Sequence, residues 1–217
     1  MTSLLLIHGG LWEEGMDADR FWGQPGITAG LQRCGFEVLA PSRLRQAPNW
    51  TAEASHLASM LSGPAVVLAG SNGCSAAARM AVDFPGTVTR LILAWPATAG
   101  DPAIDAPARV HLAAHGASPE VTDALLAGQT LRGLTDTELA ALNMPAAVLP
   151  SDPPNPFHQQ HTANTLLRLL PQAEELPGSP EPPRPEFPPH LNTFVNAVAA
   201  FASERPTAST HSDSCDT

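Results

Sequence analysis

Lysine and tyrosine are both missing from this sequence. All 11 basic side chains are arginine, so Schiff-base chemistry on a lysine amine is excluded. The formal net charge is −10 and no basic stripe exists to neutralise phosphates, which argues against nucleic acid as a partner. Cysteine is scarce: Cys34, Cys74 and Cys215 are odd in number and share no metal-ligand spacing. They build neither a disulfide framework nor a metal site, and a reducing cytoplasm is the default expectation. Long apolar runs are absent too, since nothing approaches the roughly 18 residues of a membrane span. The stretch Leu4 to Ile7 is too short for a signal peptide and has no basic region before it. The glycines around Gly70 fit neither GxGxxG nor GxxxxGK, which disfavours a phosphate-binding loop.

What remains is an ordinary globule. The 217 residues, 43% hydrophobic and 15% charged, suit a single domain with one sizeable core. Short β-rich runs alternate with helical patterns, the signature of a parallel sheet covered by helices. Strands are predicted over Ser3 to Ile7, Phe36 to Pro41, Ala65 to Ala69, Val88 to Trp95, Ala146 to Pro150 and Glu174 to Leu176. Helices are predicted over about Asp19 to Arg33, Ala52 to Leu61, Ser75 to Pro85, His158 to Leu170 and Asn192 to Phe201. The fold class is thus α/β, a three-layer, doubly wound, mostly parallel sheet of about six strands. Residues 97–143 hold more helix than a crossover needs, and Pro177 to Pro189 is too rich in proline for helix or central strand. Residues 1–202 form the domain; 203–217 have the composition of a disordered tail.

The stretch "VVLAGSNGCSAAARM", Val66 to Met80, stops an apolar run at a cluster of small residues before a helix. Small residues at the carboxyl end of a strand permit a turn tight enough to push one side chain outward, as in a nucleophile elbow. The pattern small-x-Ser-x-small fits Ala69-Gly70-Ser71-Asn72-Gly73 with Ser71 at the tip. A second register has Asn72 there, but an amide is no nucleophile. Starting the helix after Gly73 also lines Ala76, Ala77, Met80 and Ala81 along one face, which favours Ser71.

With "LLLIHGG" before it, "FEVLAPSRLR" between and "MPAAVLPSD" after, the chain resembles the α/β-hydrolase superfamily over most of Ser3 to Ala202. The likeness is to a short form that lacks the first two strands. It implies an oxyanion hole made by the N–H of Asn72 and that of Gly10, with Leu11 as alternate, and a structural role for His8. The acid is expected after the fifth strand at Asp152, with Asp101 and Asp105 as fallbacks. The base is expected after the last strand, where His190 stands; His158 is the alternative base and His161 a further rival. Cys74 reads as a small buried hydrophobe. Residues 97–143 would be a small helical cap, and Trp12, Phe21, Trp22 and Trp95 could line an acyl pocket.

The implied activity is that of a cofactor-free serine hydrolase on a small ester, thioester or related acyl substrate. A hydrolase-fold protein that only binds a small molecule or partner, or one running lyase- or peroxidase-type chemistry, is the competing expectation.

Overall fold

The central strands carry apolar side chains at nearly every position, which only a sheet covered on both faces can bury. In the computed structural model, which describes residues 2–204, four such strands are flanked by two short, largely exposed edge strands. They are β1 (Ser3–Ile7), β2 (Glu37–Leu39), β3 (Ala65–Gly70), β4 (Val88–Ala94), β5 (Ala146–Leu149) and β6 (Ala173–Glu175). All pair in parallel, in the order β2-β1-β3-β4-β5-β6. The helices are α1 (Ile27–Arg33), α2 (Trp50–Ser59), α3 (Gly73–Asp83), α4 (Pro102–Ala114), α5 (Pro119–Leu126), α6 (Asp136–Ala140), α7 (Gln160–Leu169) and α8 (Leu191–Ser203). None is long and apolar enough to cross a membrane. The tail from residue 205, with Cys215, lies outside the described residues.

Alternation along each strand divides the core in two. Leu5, Ile7, Val67, Ala69, Leu91 and Leu93 face α2, α3 and α7, where Ala54, Leu57, Ala77, Met80, Ala163 and Leu166 meet them. Leu4, Leu6, Val66, Leu68 and Ile92 face the other way, onto Ile27 and Leu31 of α1 and Phe194, Val198 and Phe201 of α8. Every one of these side chains is nearly or wholly buried.

Some boundaries differ from the sequence reading. The helix expected over Asp19 to Arg33 is broken: a single π turn over Asp19–Gly23 precedes α1. Pro25 has no N–H to give, and Gly26 sits at φ +87°, a left-handed conformation that ends one helical path and starts another. The second strand contracts to three residues on the sheet edge. The helix expected from Ala52 starts two residues earlier, because Asn49 Oδ1 accepts the Ala52 N–H at 2.8 Å as an N-cap. The helix expected from His158 starts only at Gln160, leaving His158 in the preceding loop. Between β4 and β5 the chain makes α4, α5 and α6, each opened by a capping side chain: Asp101, Ser118 and Thr135.

The chain leaves β1 outward to β2, then returns to form β3 on the other side of β1. Connections therefore diverge at the carboxyl ends of β1 and β3, where open α/β sheets bind ligands. His8 follows β1 directly and is 6% exposed. Its Nδ1–H donates to Gly9 O at 2.8 Å, while Nε2 accepts the Arg43 backbone N–H at 3.4 Å. Burial, helped by the Arg43 charge, lowers its pKa to about 4.

A stability prediction follows from that neutral ring. Between pH 6.5 and about 4 the unfolded His8 takes a proton that the folded one refuses. Stability from this group is complete above pH 6.5 and falls as the pH drops towards 4, by up to about 3 kcal/mol. Urea midpoints at pH 7.5 and 4.5 should therefore converge more closely in His8→Asn than in the wild type. An equal acid loss in both proteins would remove His8 as the cause.

Candidate active site

Ser71 stands at the turn from β3 into α3 with φ +52°, whereas Asn72 is at φ −62°. The strained residue is thus Ser71, and a left-handed non-glycine residue costs on the order of 1–3 kcal/mol. Backbone bonds hold it there: its N–H donates to Ala94 O at 3.0 Å, and its C=O accepts the Cys74 N–H at 3.0 Å. The helix that follows comes so close to β1 that a Cβ on Gly73 would lie 2.6 Å from Ile7 O and 2.7 Å from His8 O. Cys74 is fully buried, its Sγ against the carbonyls of Ala69 and Ala94, and burial pushes its thiol pKa up.

The imidazole beside Ser71 is that of His158. Ser71 Oγ lies 2.9 Å from His158 Nε2, and His158 Nδ1 lies 3.2 Å from Glu181 Oε2. A carboxylate only accepts, so it selects the tautomer with the proton on Nδ1, leaving Nε2 free to receive the Ser71 proton. Asn155 shapes the loop that presents His158. Its Oδ1 accepts the Phe157 N–H at 2.8 Å and its C=O the His158 N–H at 3.1 Å. Its Nδ2 donates to both oxygens of Glu181, at 2.7 and 3.0 Å; its 2.9 Å approach to the protonated His158 Nδ1 is then a contact between two donors and not a hydrogen bond.

Glu181 is 8% exposed. Burial raises its pKa, but the hydrogen bond and charge of His158, the charge of Arg184 and the Ser151 hydroxyl outweigh it and leave the carboxyl below the ordinary glutamate value. Arg184 Nε is 2.7 Å from Oε1, and Ser151 Oγ donates to Oε2 at 3.3 Å.

The other expected residues lie apart from this constellation. Asp152 is exposed, and its backbone N–H donates to Ser179 O at 3.0 Å. Ser151 occupies the inward position after β5, so alternation turns its neighbour Asp152 out. His190 is half-buried at the start of α8, away from the cavity that holds Ser71. The structure thus brings neither Asp152 nor His190 to Ser71. Asp101 caps α4 and accepts from Gln159, Asp105 pairs with Arg132 at 2.8 Å, and His161 is exposed on α7. Glu181 was not legible as a site residue. The one signal it offered was a carboxylate fixed among prolines, in "SPEPPRPEF", where no helix surface can claim it.

A cavity of about 510 Å³ opens onto Ser71 and His158. Gly10, Leu11 and Asn72 line it too, and none of their N–H groups has an acceptor among the described residues. Its far wall is largely apolar, with Ile104, Pro107 and Ala108 from α4 and Phe157 beside His158. Arg132, 3% exposed, ties this wall to the elbow: Nη1 donates to Asn72 Oδ1 at 2.7 Å and Nη2 to Asp105 Oδ1. Of the four aromatics expected around a pocket, Phe21, Trp22 and Trp95 pack in the core on the α1 and α8 face, and Trp12 donates its Nε1–H to Ala47 O.

No protein-family model and no curated protein sequence matches this chain. Solved structures share its architecture. A meta-cleavage product hydrolase from Pseudomonas fluorescens IP01 superposes at a TM-score of 0.70, covering 93% of this chain and 90% of that one at 15% identity. An α/β hydrolase enzyme from a Medee basin deep-sea metagenome library gives 0.69, over 95% and 90%, at 13% identity. An α/β hydrolase from Sphaerobacter thermophilus DSM 20745 gives 0.65, over 92% of each chain, at 16% identity. With six parallel strands in this order, helices on both faces and a strained serine at the turn after β3, the chain has the α/β-hydrolase fold.

Proposed function

We propose that the protein is a cofactor-free serine hydrolase acting on a small ester, thioester or related acyl substrate, with Ser71, His158 and Glu181 as its triad. The observation that carries this reading is the 2.9 Å approach of His158 Nε2 to the Oγ of a serine with positive φ. Ser71 attacks the acyl carbon as its proton passes to His158 Nε2, and Glu181 stabilises the imidazolium that forms. The oxyanion takes the N–H of Asn72 and that of Gly10 or Leu11, at the positive end of the 11-residue helix α3. His158 then returns its proton to the departing alkoxide or thiolate. A water attacks the acyl-enzyme by the reverse route. Residues 97–143 act as the cap, and the cavity volume and its apolar wall suit a short apolar acyl group.

The triad acid and base exchange the loops that the family likeness assigns them. The base comes from the loop after β5 and the acid from the loop after β6. Geometry and roles, not position in the chain, define a triad.

Two measurements test the assignment. Ser71→Ala should abolish labelling by a fluorophosphonate probe and hydrolysis of p-nitrophenyl acetate. Wild-type protein that neither takes the label nor hydrolyses the ester would favour the binding-protein reading. Glu181→Gln should lower kcat by about 10³–10⁴-fold, because Arg184 holds the amide oxygen and the amide N–H, a donor, then faces His158 Nδ1 and favours the wrong tautomer. Asp152→Asn and His190→Ala should stay within about threefold of wild type, since Asp152 is exposed and His190 lies away from the cavity. The opposite ranking of these variants would return the acid role to Asp152.

A further inference from the structure

Behind the loop that follows β1 lies Arg43, a side chain 9% exposed that the triad does not use. One of its nitrogens, Nη1, donates to three successive carbonyl oxygens: His8 O at 3.0 Å, Gly9 O at 3.3 Å and Gly10 O at 2.9 Å. A trans peptide is planar, with its N–H opposite its C=O. The Gly9 carbonyl therefore fixes the direction of the Gly10 N–H, and the Gly10 carbonyl that of the Leu11 N–H. Both carbonyls face Arg43, so both N–H groups face away from it. Gly10 and Leu11 line the Ser71 cavity, and a Cβ on Gly9 would lie 3.0 Å from Ser71 Cβ.

We propose that Arg43 is a positioning residue that aims and polarises the Gly10 and Leu11 peptides as one half of the oxyanion hole. A cation at a carbonyl oxygen draws electron density through the amide, so the opposite N–H becomes a stronger donor. His8 Nδ1–H adds a second donor to Gly9 O, at 2.8 Å, and its neutral state keeps two cations from competing there. Arg43 is itself held. Its Nε donates to Glu53 Oε1 at 3.2 Å, the Leu44 N–H donates to the same oxygen at 3.3 Å, and the guanidinium lies 5.9 Å from the Trp50 ring centre. Glu53 is fully buried, so its carboxylate needs this partner, and the pair fixes the fork in one orientation. A lysine could supply the charge but not the Nε bond to Glu53 together with the Nη1 reach to three carbonyls.

This role rests on the hydrolase reading, and the experiment separates the two. Wild type, Arg43→Lys and the double variant Arg43→Met with Glu53→Gln are compared; the double variant leaves no buried charge unpaired. Turnover of p-nitrophenyl acetate is expressed per Ser71 titrated to completion by fluorophosphonate, so misfolded protein does not count. Both variants should lose about a hundredfold in kcat, the scale of a misplaced reacting geometry, with KM within about threefold. The affinity of an alkyl boronic acid, whose Ser71 adduct puts an oxygen in the hole, should fall in parallel with kcat. Variants that keep kcat per titrated site within threefold of wild type, or keep boronate affinity while losing turnover, would overturn the role. Wild type without labelling or hydrolysis would instead overturn the hydrolase reading and this role with it.

Discussion

A carboxylate removed from water stays ionised only where donors replace the solvent it has lost, and Glu181 draws such donors from two segments. Ser151, Asn155 and His158, the last beside Ser71, come from the chain after β5, and Arg184 from its own turn. The loops after β5 and β6 extend beyond their paired strands, so this carboxylate does there what the sheet ladder does below. Removing it would leave Asn155 and Arg184 without their acceptor and His158 without the partner that fixes its ring. The geometry at Ser71 thus depends on a residue 110 positions further along the chain. The prolines around Glu181 reduce the freedom that the segment loses on ordering, which favours holding the carboxylate in one pose.

The fold was legible because its strands are buried on both faces and therefore read as unbroken apolar runs, as in "SLLLI" and "AVVLAG". The elbow was legible for a related reason: close approach of α3 to β1 demands a small residue at Gly73, and a strained turn leaves a compositional trace around Ser71. The proposed base, His158, was harder. Apolar spacing in Ala163, Leu166 and Leu170 runs on smoothly from His158, so periodicity alone drew the helix back over a residue that the Asn155 turn in fact holds in a loop. The proposed acid, Glu181, was harder still. Its neighbours are prolines, which carry no periodicity, and its partners His158, Asn155 and Ser151 are 23, 26 and 30 residues away in the chain. The family likeness pointed each role at the other's loop. Arg43 and Arg132 were equally silent, since a basic residue in a loop reads as solvated until the carbonyls and carboxylates around it are known.

Arg132 has a consequence for how the site opens. Its two bonds join the chain between α5 and α6 to Asn72 on one side and to Asp105 of α4 on the other. Hydrogen bonds to a charged group are worth about 1.5–3 kcal/mol each, and here the guanidinium is 97% covered. Swinging the helical insertion away from Ser71 as a rigid lid would break the bond to Asn72 and bare that charge. Traffic must therefore run past the covering rather than beneath a raised one. The rim offers such a passage at Phe157 and Pro107, which are exposed and line the cavity. In that arrangement the width of a fixed doorway, not the frequency of an opening motion, selects which molecules reach the cavity at Ser71.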